Sequence, residues 1–179
     1  REGKITHWGI SEATEEYLRR AHAVCPVTAI QNRYSMMARW HESLFPAVEE
    51  LNIGYVAFSP MANGFLSGQY NQNTKFEAGT DYRSFMPQYT EEGFEKGREL
   101  LNYLQKLSEE KQATSAQLSL AWMLGKKKWI IPIPGSRKPE RLQENLKAAE
   151  IILSAEEINE IDEKLNQMQF LVFGGNQAK

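Results

Sequence analysis

The sequence predicts an α/β fold of parallel strands with helices packed outside them. Two observations predict it. Short apolar runs alternate with stretches whose apolar residues recur at helical spacing, the pattern of consecutive βαβ units. The residues best suited to hold a ligand (Ser11, Gln31, Phe58-Ser59 and Gly135-Ser136-Arg137) each lie at the end of such a run. In a (β/α) barrel or an open parallel sheet, the carboxyl ends of the strands form the ligand-binding edge.

The first strand is expected over residues 5–10, ITHWGI. Ser11 and Thr14 are cap candidates for a helix over 13–24. A second strand is expected over 27–31, then a loop over 32–39 and a helix over 41–51. Asn52-Ile53-Gly54 turns into a third strand over 55–58. Residues 59–90 are polar and glycine-rich, with 69–90 a long loop whose length marks a functional or mobile segment. Helices follow over 91–112 and 115–124, the second entered through Thr114. A fourth strand spans 129–133. Pro139 then opens a helix to Ala149, at a position where a missing N–H costs nothing. Ser154 and Glu157 form a capping box for a helix to Met168. Residues 170–179 form a glycine-containing, irregular tail.

Composition narrows the function classes. A length of 179 residues suits one domain, and 41% hydrophobic with 25% charged residues is ordinary for a globular protein. A net charge of −2 gives no global basic field for nucleic acid or a membrane surface. Cys25 is the single cysteine, which excludes an internal disulfide and a cysteine-based metal site. His7, His22 and His41 lack metal-ligand spacing. No apolar run reaches membrane-spanning length and REGKITHWG is unlike a secretion signal, so a reducing cytoplasm is expected. Arg1-Glu2-Gly3-Lys4 reads as the end of a helix and its turn, so the chain is expected to begin inside a connection.

The stretch IIPIPGSRKPERLQENL, residues 130–146, points to chemistry. A strand, a Gly-Ser turn and a helix start carrying Arg137, Lys138 and Arg141 together favour an anion. Backbone N–H groups and the helix dipole face it, and the cations neutralise it. A phosphorylated ligand is expected.

Four segments taken together resemble the aldo-keto reductases, NADPH-dependent enzymes with a TIM-barrel fold. They are GKITHWGISE at 3–12, AIQNRYS at 29–35, GYVAFSPMANGFLSG at 54–68 and IPIPGSRKPERLQENL at 131–146. The subgroup resembled is the bacterial one whose last strand ends in Pro-Gly-Ser/Thr-Arg. The resemblance covers nearly the whole chain. It implies that residues 1–179 form a single partial domain, strands five to eight of a (β/α)8 barrel, the C-terminal half.

The resemblance also implies an NADP(H) site. Ser11 and Gln31 match the pair on the nicotinamide carboxamide, and Phe58 matches the aromatic on which the ring stacks. Ser59, Pro60 and Met61 begin the loop that passes the pyrophosphate, and Gly64 and Gly68 let its backbone come close. Gly135, Ser136 and Arg137 match the clamp on the 2′-phosphate, with Arg141 beside it. Glu144 and Asn145 match the residues that hold the adenine. Glu12 stands where many members have Asn, and Gln69 where Lys is frequent.

The family's catalytic Asp, Tyr, Lys and His belong to earlier strands, so no catalytic residue and no metal ligand is assigned. Tyr34, Lys75 and His41 match none of those motifs. Tyr82, Phe85 and Phe170 are candidates to line a substrate pocket. The implied activity is hydride transfer from NADPH to an aldehyde or ketone, with this chain supplying the cofactor half. The alternatives are a non-catalytic nucleotide-binding or scaffold module and an inert truncated fragment. The expected partners are a small carbonyl substrate and either the missing N-terminal half or a second copy meeting the open barrel edges. Neither nucleic acid nor membrane is expected.

Overall fold

Four parallel strands organise the chain in the order β1-β2-β3-β4. They are β1 (Gly9–Ser11), β2 (Ala29–Arg33), β3 (Gly54–Phe58) and β4 (Ile130–Pro132). The computed structural model describes residues 2–174; Arg1 and the last five residues of the expected tail lie outside them. Helix α1 (Glu15–Val24) joins β1 to β2. A 3-10 turn (Trp40–Leu44) running into α2 (Phe45–Glu50) joins β2 to β3. Helices α3 (Glu91–Lys111) and α4 (Ser115–Lys126) precede β4, and α5 (Pro139–Leu146) and α6 (Ala155–Gln167) follow it.

The helix starts obey local chemistry. The Thr14 hydroxyl accepts from Tyr17 N–H, with Glu15 and Glu16 in the first turn favouring the positive end of the dipole. Thr114 with Gln117, and Ser154 with Glu157, form reciprocal capping boxes.

Several boundaries differ from the sequence expectation. β1 does not start at Ile5, which is 72% exposed; only Gly9–Ser11 lie opposite a partner, Ala29–Gln31. Ser11 is not a helix cap, because its hydroxyl donates to the Gln31 carbonyl at 3.0 Å. β2 is displaced two residues towards the C-terminus, since Asn32 and Arg33 find partners in Ala57 and Phe58. Gln31 therefore sits inside a strand rather than after one. The helix expected over 41–51 splits at Pro46, which has no N–H to donate: the chain tightens into the 3-10 turn and restarts as α2. The helix expected over 139–149 likewise ends at Leu146 and closes with a 3-10 turn, Lys147–Glu150.

The two faces of the sheet differ. Ile30, Asn32, Tyr55, Ala57 and Ile130 are buried, and the apolar ones share one core with Leu18, Val48, Leu100, Leu104 and Trp122 from the helices. Gly9, Ser11, Gln31 and Ile131 alternate with them and are exposed. Parallel sheets are ordinarily covered on both faces; here the second face has no cover among the described residues.

The core turns on Tyr34. Its ring stacks on Trp122 at 5.5 Å and meets Phe45 and Tyr55 edge-on. Its hydroxyl donates to Glu42 at 2.6 Å. Glu42 also accepts from Arg39 and faces Lys126 at 3.6 Å. Lys126 pairs with Asp162, which accepts from the Trp122 indole N–H at 2.9 Å. Burial pushes the Tyr34 hydroxyl well above its usual range, with Glu42 adding to the rise.

Burial by itself would raise the Glu42 carboxyl. The hydrogen bonds from Arg39 and Tyr34 and the charge of Lys126 outweigh it and hold the group below its ordinary value of 4.5. A carboxyl depressed on folding adds stability above its unfolded value and loses it as pH falls through the folded one. Glu42→Gln should therefore lower stability at pH 7 by about 2 kcal/mol, the scale of charged hydrogen bonds. Its urea-measured stability should also fall less steeply than that of the unmodified chain below pH 4.5.

Candidate functional site

The site begins where β3 ends. Ser59, Ala62 and Asn63 adopt left-handed backbone angles, with φ of 51°, 48° and 59°. Non-glycine residues hold such angles only when their surroundings demand it, at about 1–2 kcal/mol each. The turn is gripped from outside. Gln88, fully buried, donates to the Ala62 carbonyl at 3.4 Å, and the Tyr89 hydroxyl donates to that of Asn63 at 3.1 Å. Phe65 packs where a side chain on Gly97 of α3 would stand, 2.6 Å from that Cβ position.

The second wall comes from the end of β4. Ser136 accepts from Lys138 N–H at 3.1 Å, turning the chain into α5. The cap of α5 is Lys138, which makes no side-chain capping bond, and Pro139 follows. The helix start is thus uncapped and surrounded by Arg137, Lys138 and Arg141. Arg141 donates to Gln69 at 2.9 Å. Glu144 accepts from the Thr114 hydroxyl at 2.7 Å, and its carbonyl accepts from Gln117, so the start of α4 anchors α5. Asn145 is 9% exposed, and its Nδ2 is buried without a partner among the described residues.

Between these walls lies a cleft of about 1070 Å³. Ser59, Pro60, Met61, Gly64, Gly135, Ser136, Arg137, Arg141, Glu144 and Asn145 all line it. Ser11, Gln31, Phe58 and Gly68 do not. Gly68 instead ends a 3-10 turn (Ala62–Ser67) at φ 68°. Ser11 and Gln31 lie on the uncovered sheet face, and Phe58 is half-buried with the Arg33 guanidinium 4.8 Å above its ring.

The loop expected over 69–90 is folded against the cleft rather than loose. Arg83 is its pin: its guanidinium lies over Phe76 at 4.5 Å and Tyr70 at 5.1 Å, and it donates to Tyr70 at 2.7 Å and to Asp81. That bond from Arg83 holds the Asp81 carboxyl down to about 2, and Arg137 contributes further. Tyr70, Asp81, Tyr82 and Arg83 also line the cleft. Tyr82 had a sequence expectation as a pocket residue; Tyr70, Asp81 and Arg83 had none, because a polar loop carries no periodic pattern. The described part of the tail is pinned as well: Val172 is buried and Phe173 N–H donates to Gln88 at 2.9 Å. Phe85 remains 67% exposed.

Tyr34 and His41 serve the core. His41 contacts the Asn32 amide at 3.3 Å, and burial lowers its imidazole pKa. Among the described residues, no helix is long and apolar enough to cross a membrane, and no group of three His, Cys, Asp or Glu side chains is arranged to hold a metal.

Comparison with known proteins adds to this geometry. The model of the Aldo/keto reductase family matches residues 1–166. Aldo-keto reductase str7 of Strobilurus tenacellus is 38% identical over 162 residues, 88% of this chain and 48% of that protein. Aldo-keto reductase yakc of Schizosaccharomyces pombe, whose name specifies NADP(+), is 36% identical over 173 residues, 94% of this chain and 51% of that protein. The chain spans about half the length of the curated relatives it matches. A glycerol dehydrogenase from Gluconobacter oxydans superposes with a TM-score of 0.84 at 25% identity, over 99% of this chain and 53% of that one. A thermostable aldo-keto reductase solved with the inhibitor epalrestat gives 0.67 at 26% identity, over 91% and 50%.

The strained turn is testable. Ser59→Gly should raise stability by about 1 kcal/mol in thermal unfolding, because glycine holds the left-handed angle without the Cβ clash.

Proposed function

The chain belongs to the aldo/keto reductase family, and from that premise we propose that it forms the cofactor-binding part of an NADPH-dependent carbonyl reductase. The observation that carries this reading is the cleft wall at α5. An uncapped helix start, Arg137, Lys138 and Arg141 face the same space as the unpartnered amide of Asn145. Cations and free N–H groups suit a phosphate, and an orphaned buried donor suits a ring nitrogen of adenine. The donor set fits NADP(H).

In this reading Gly135, Ser136 and Arg137 clamp the 2′-phosphate, with Arg137 neutralising it. Arg141 stands beside that phosphate and also donates to Gln69, and Asn145 donates to the base. The left-handed turn at Ser59–Asn63 lets backbone rather than side chains approach the pyrophosphate. Phe58 offers an aromatic face to the nicotinamide, and Ser11 and Gln31 offer hydroxyl and amide to its carboxamide. The bound cofactor supplies a hydride to an aldehyde or ketone. Tyr34 is not the proton donor: it is fully buried and its hydroxyl is pushed away from neutral pH. The acid and its partners belong to the preceding strands of the family fold.

The four strands correspond in this reading to strands five to eight of a (β/α)8 barrel. Support comes from the parallel order, the single uncovered face and relatives about twice as long. That face is then the inner wall of the barrel.

Two measurements test these statements. In the intact protein, Arg137→Ala should weaken NADPH by about 1.5–3 kcal/mol more than NADH in fluorescence titration, the loss of a charged hydrogen bond. Equal loss for both cofactors refutes the phosphate assignment. The 179-residue chain alone should self-associate at micromolar concentration in analytical ultracentrifugation. A stable, folded monomer would contradict the half-barrel reading.

A further inference from the structure

Arg33 carries a buried charge that makes no ion pair among the described residues. It is the last residue of β2 and lies opposite Phe58 in the register. Strand alternation puts its side chain on the same face as Gln31, the uncovered one. Yet Arg33 is only 9% exposed, because two rings enclose it: Phe58 at 4.8 Å and Phe173 at 5.8 Å from the guanidinium carbon. Its Nη1 is buried with no hydrogen-bond partner among the described residues. Glu12 does not neutralise it by a direct bond: the Glu12 carboxylate instead accepts from the Arg33 backbone N–H, at 3.4 Å.

An uncompensated buried cation is costly, and an unmade hydrogen bond adds to the cost. Burial accordingly pulls the Arg33 pKa down, with only partial opposition from Glu12 and Tyr82. Such a group gains most from an anion that arrives with its own acceptor oxygens. A guanidinium edge matches a carboxylate in plane and spacing, and the aromatic walls strengthen the attraction by excluding water.

Its position gives this a use. Phe58, whose ring lies 4.8 Å from the guanidinium carbon, runs directly into Ser59 of the cleft wall, so Arg33 stands next to that end of the cleft. The cover over it is thin. Phe173 is 41% exposed, and a side chain on Gly174 would stand 3.3 Å from the Arg33 Nε, so only a glycine backbone covers that edge. Gln88 holds this strap by one hydrogen bond, from Phe173 N–H. We propose that Arg33 is a specificity-determining residue that receives a carboxylate on the carbonyl substrate. The Phe173–Gly174 strap yields to admit it. The inference rests on the reductase reading of the neighbouring cleft and adds the chemical class of its substrate.

The test has two arms that fail separately. In the intact protein, the Arg33 side-chain Nε–H resonance, assigned by its loss in Arg33→Met, should shift saturably with benzoate and not with benzamide. No saturable shift overturns the inference, whatever the enzyme reduces. In turnover, 4-carboxybenzaldehyde and its neutral methyl ester are compared. Arg33→Met should lower kcat/KM for the carboxylate at least tenfold more than for the ester, and Arg33→Lys should restore part of the difference. Equal losses overturn the inference. A benzoate response with neither aldehyde reduced leaves Arg33 an anion receptor and removes the reductase reading instead.

Discussion

The hydrogen bond from Tyr34 to Glu42 is the point from which the rest of the fold is held. Tyr34 follows β2 directly, so whatever fixes its ring fixes the carboxyl end of that strand. Glu42 reaches back from the following 3-10 turn and recruits Arg39 and Lys126. Lys126 carries the network to Asp162 on α6, and Asp162 returns it to Trp122, on which Tyr34 stacks. Three elements distant in sequence are thereby locked around one buried phenol. The cost of burying these charges is met by their mutual pairing, which breaking one partner would undo.

That lock faces the helices, and the candidate site uses what lies beyond it. Strain collects at Ser59, Ala62 and Asn63, where the chain leaves β3, and is held by Gln88 and Tyr89 from a loop and by Phe65 against α3. The same Gln88 takes the N–H of Phe173, so one amide ties the tail to the turn that walls the cleft. Arg83, between two rings, does for the 69–90 loop what Tyr34 does for the core. The cleft is thus bounded by segments that look irregular in sequence and are fixed by single polar side chains.

The charges divide in a similar way. Arg137 and Arg141 stand at an uncapped helix start with room for a ligand, whereas Arg33 is sealed between aromatics. Arg83 is fully paired. Sequence position does not separate these arginines; burial and partners do.

The caps at Thr14, Thr114 and Ser154, the alternation of strand and helix, and the Pro-Gly-Ser-Arg turn were legible in the sequence. Each depends on neighbours within a few residues, whereas Ser59, Pro60, Met61 and Gly64 stood out through the family resemblance alone. The sequence did not determine where β1 begins or that β2 runs on to Arg33. Strand length depends on what lies opposite, and that is a property of the sheet. Nor could it separate Gly68, a turn cap, from Gly64, a cleft residue, or show Tyr70, Asp81 and Arg83 meeting. Those are contacts between segments, which only tertiary packing brings together. The same packing closes Phe173 over Arg33 and leaves its Nη1 without a hydrogen-bond partner among the described residues.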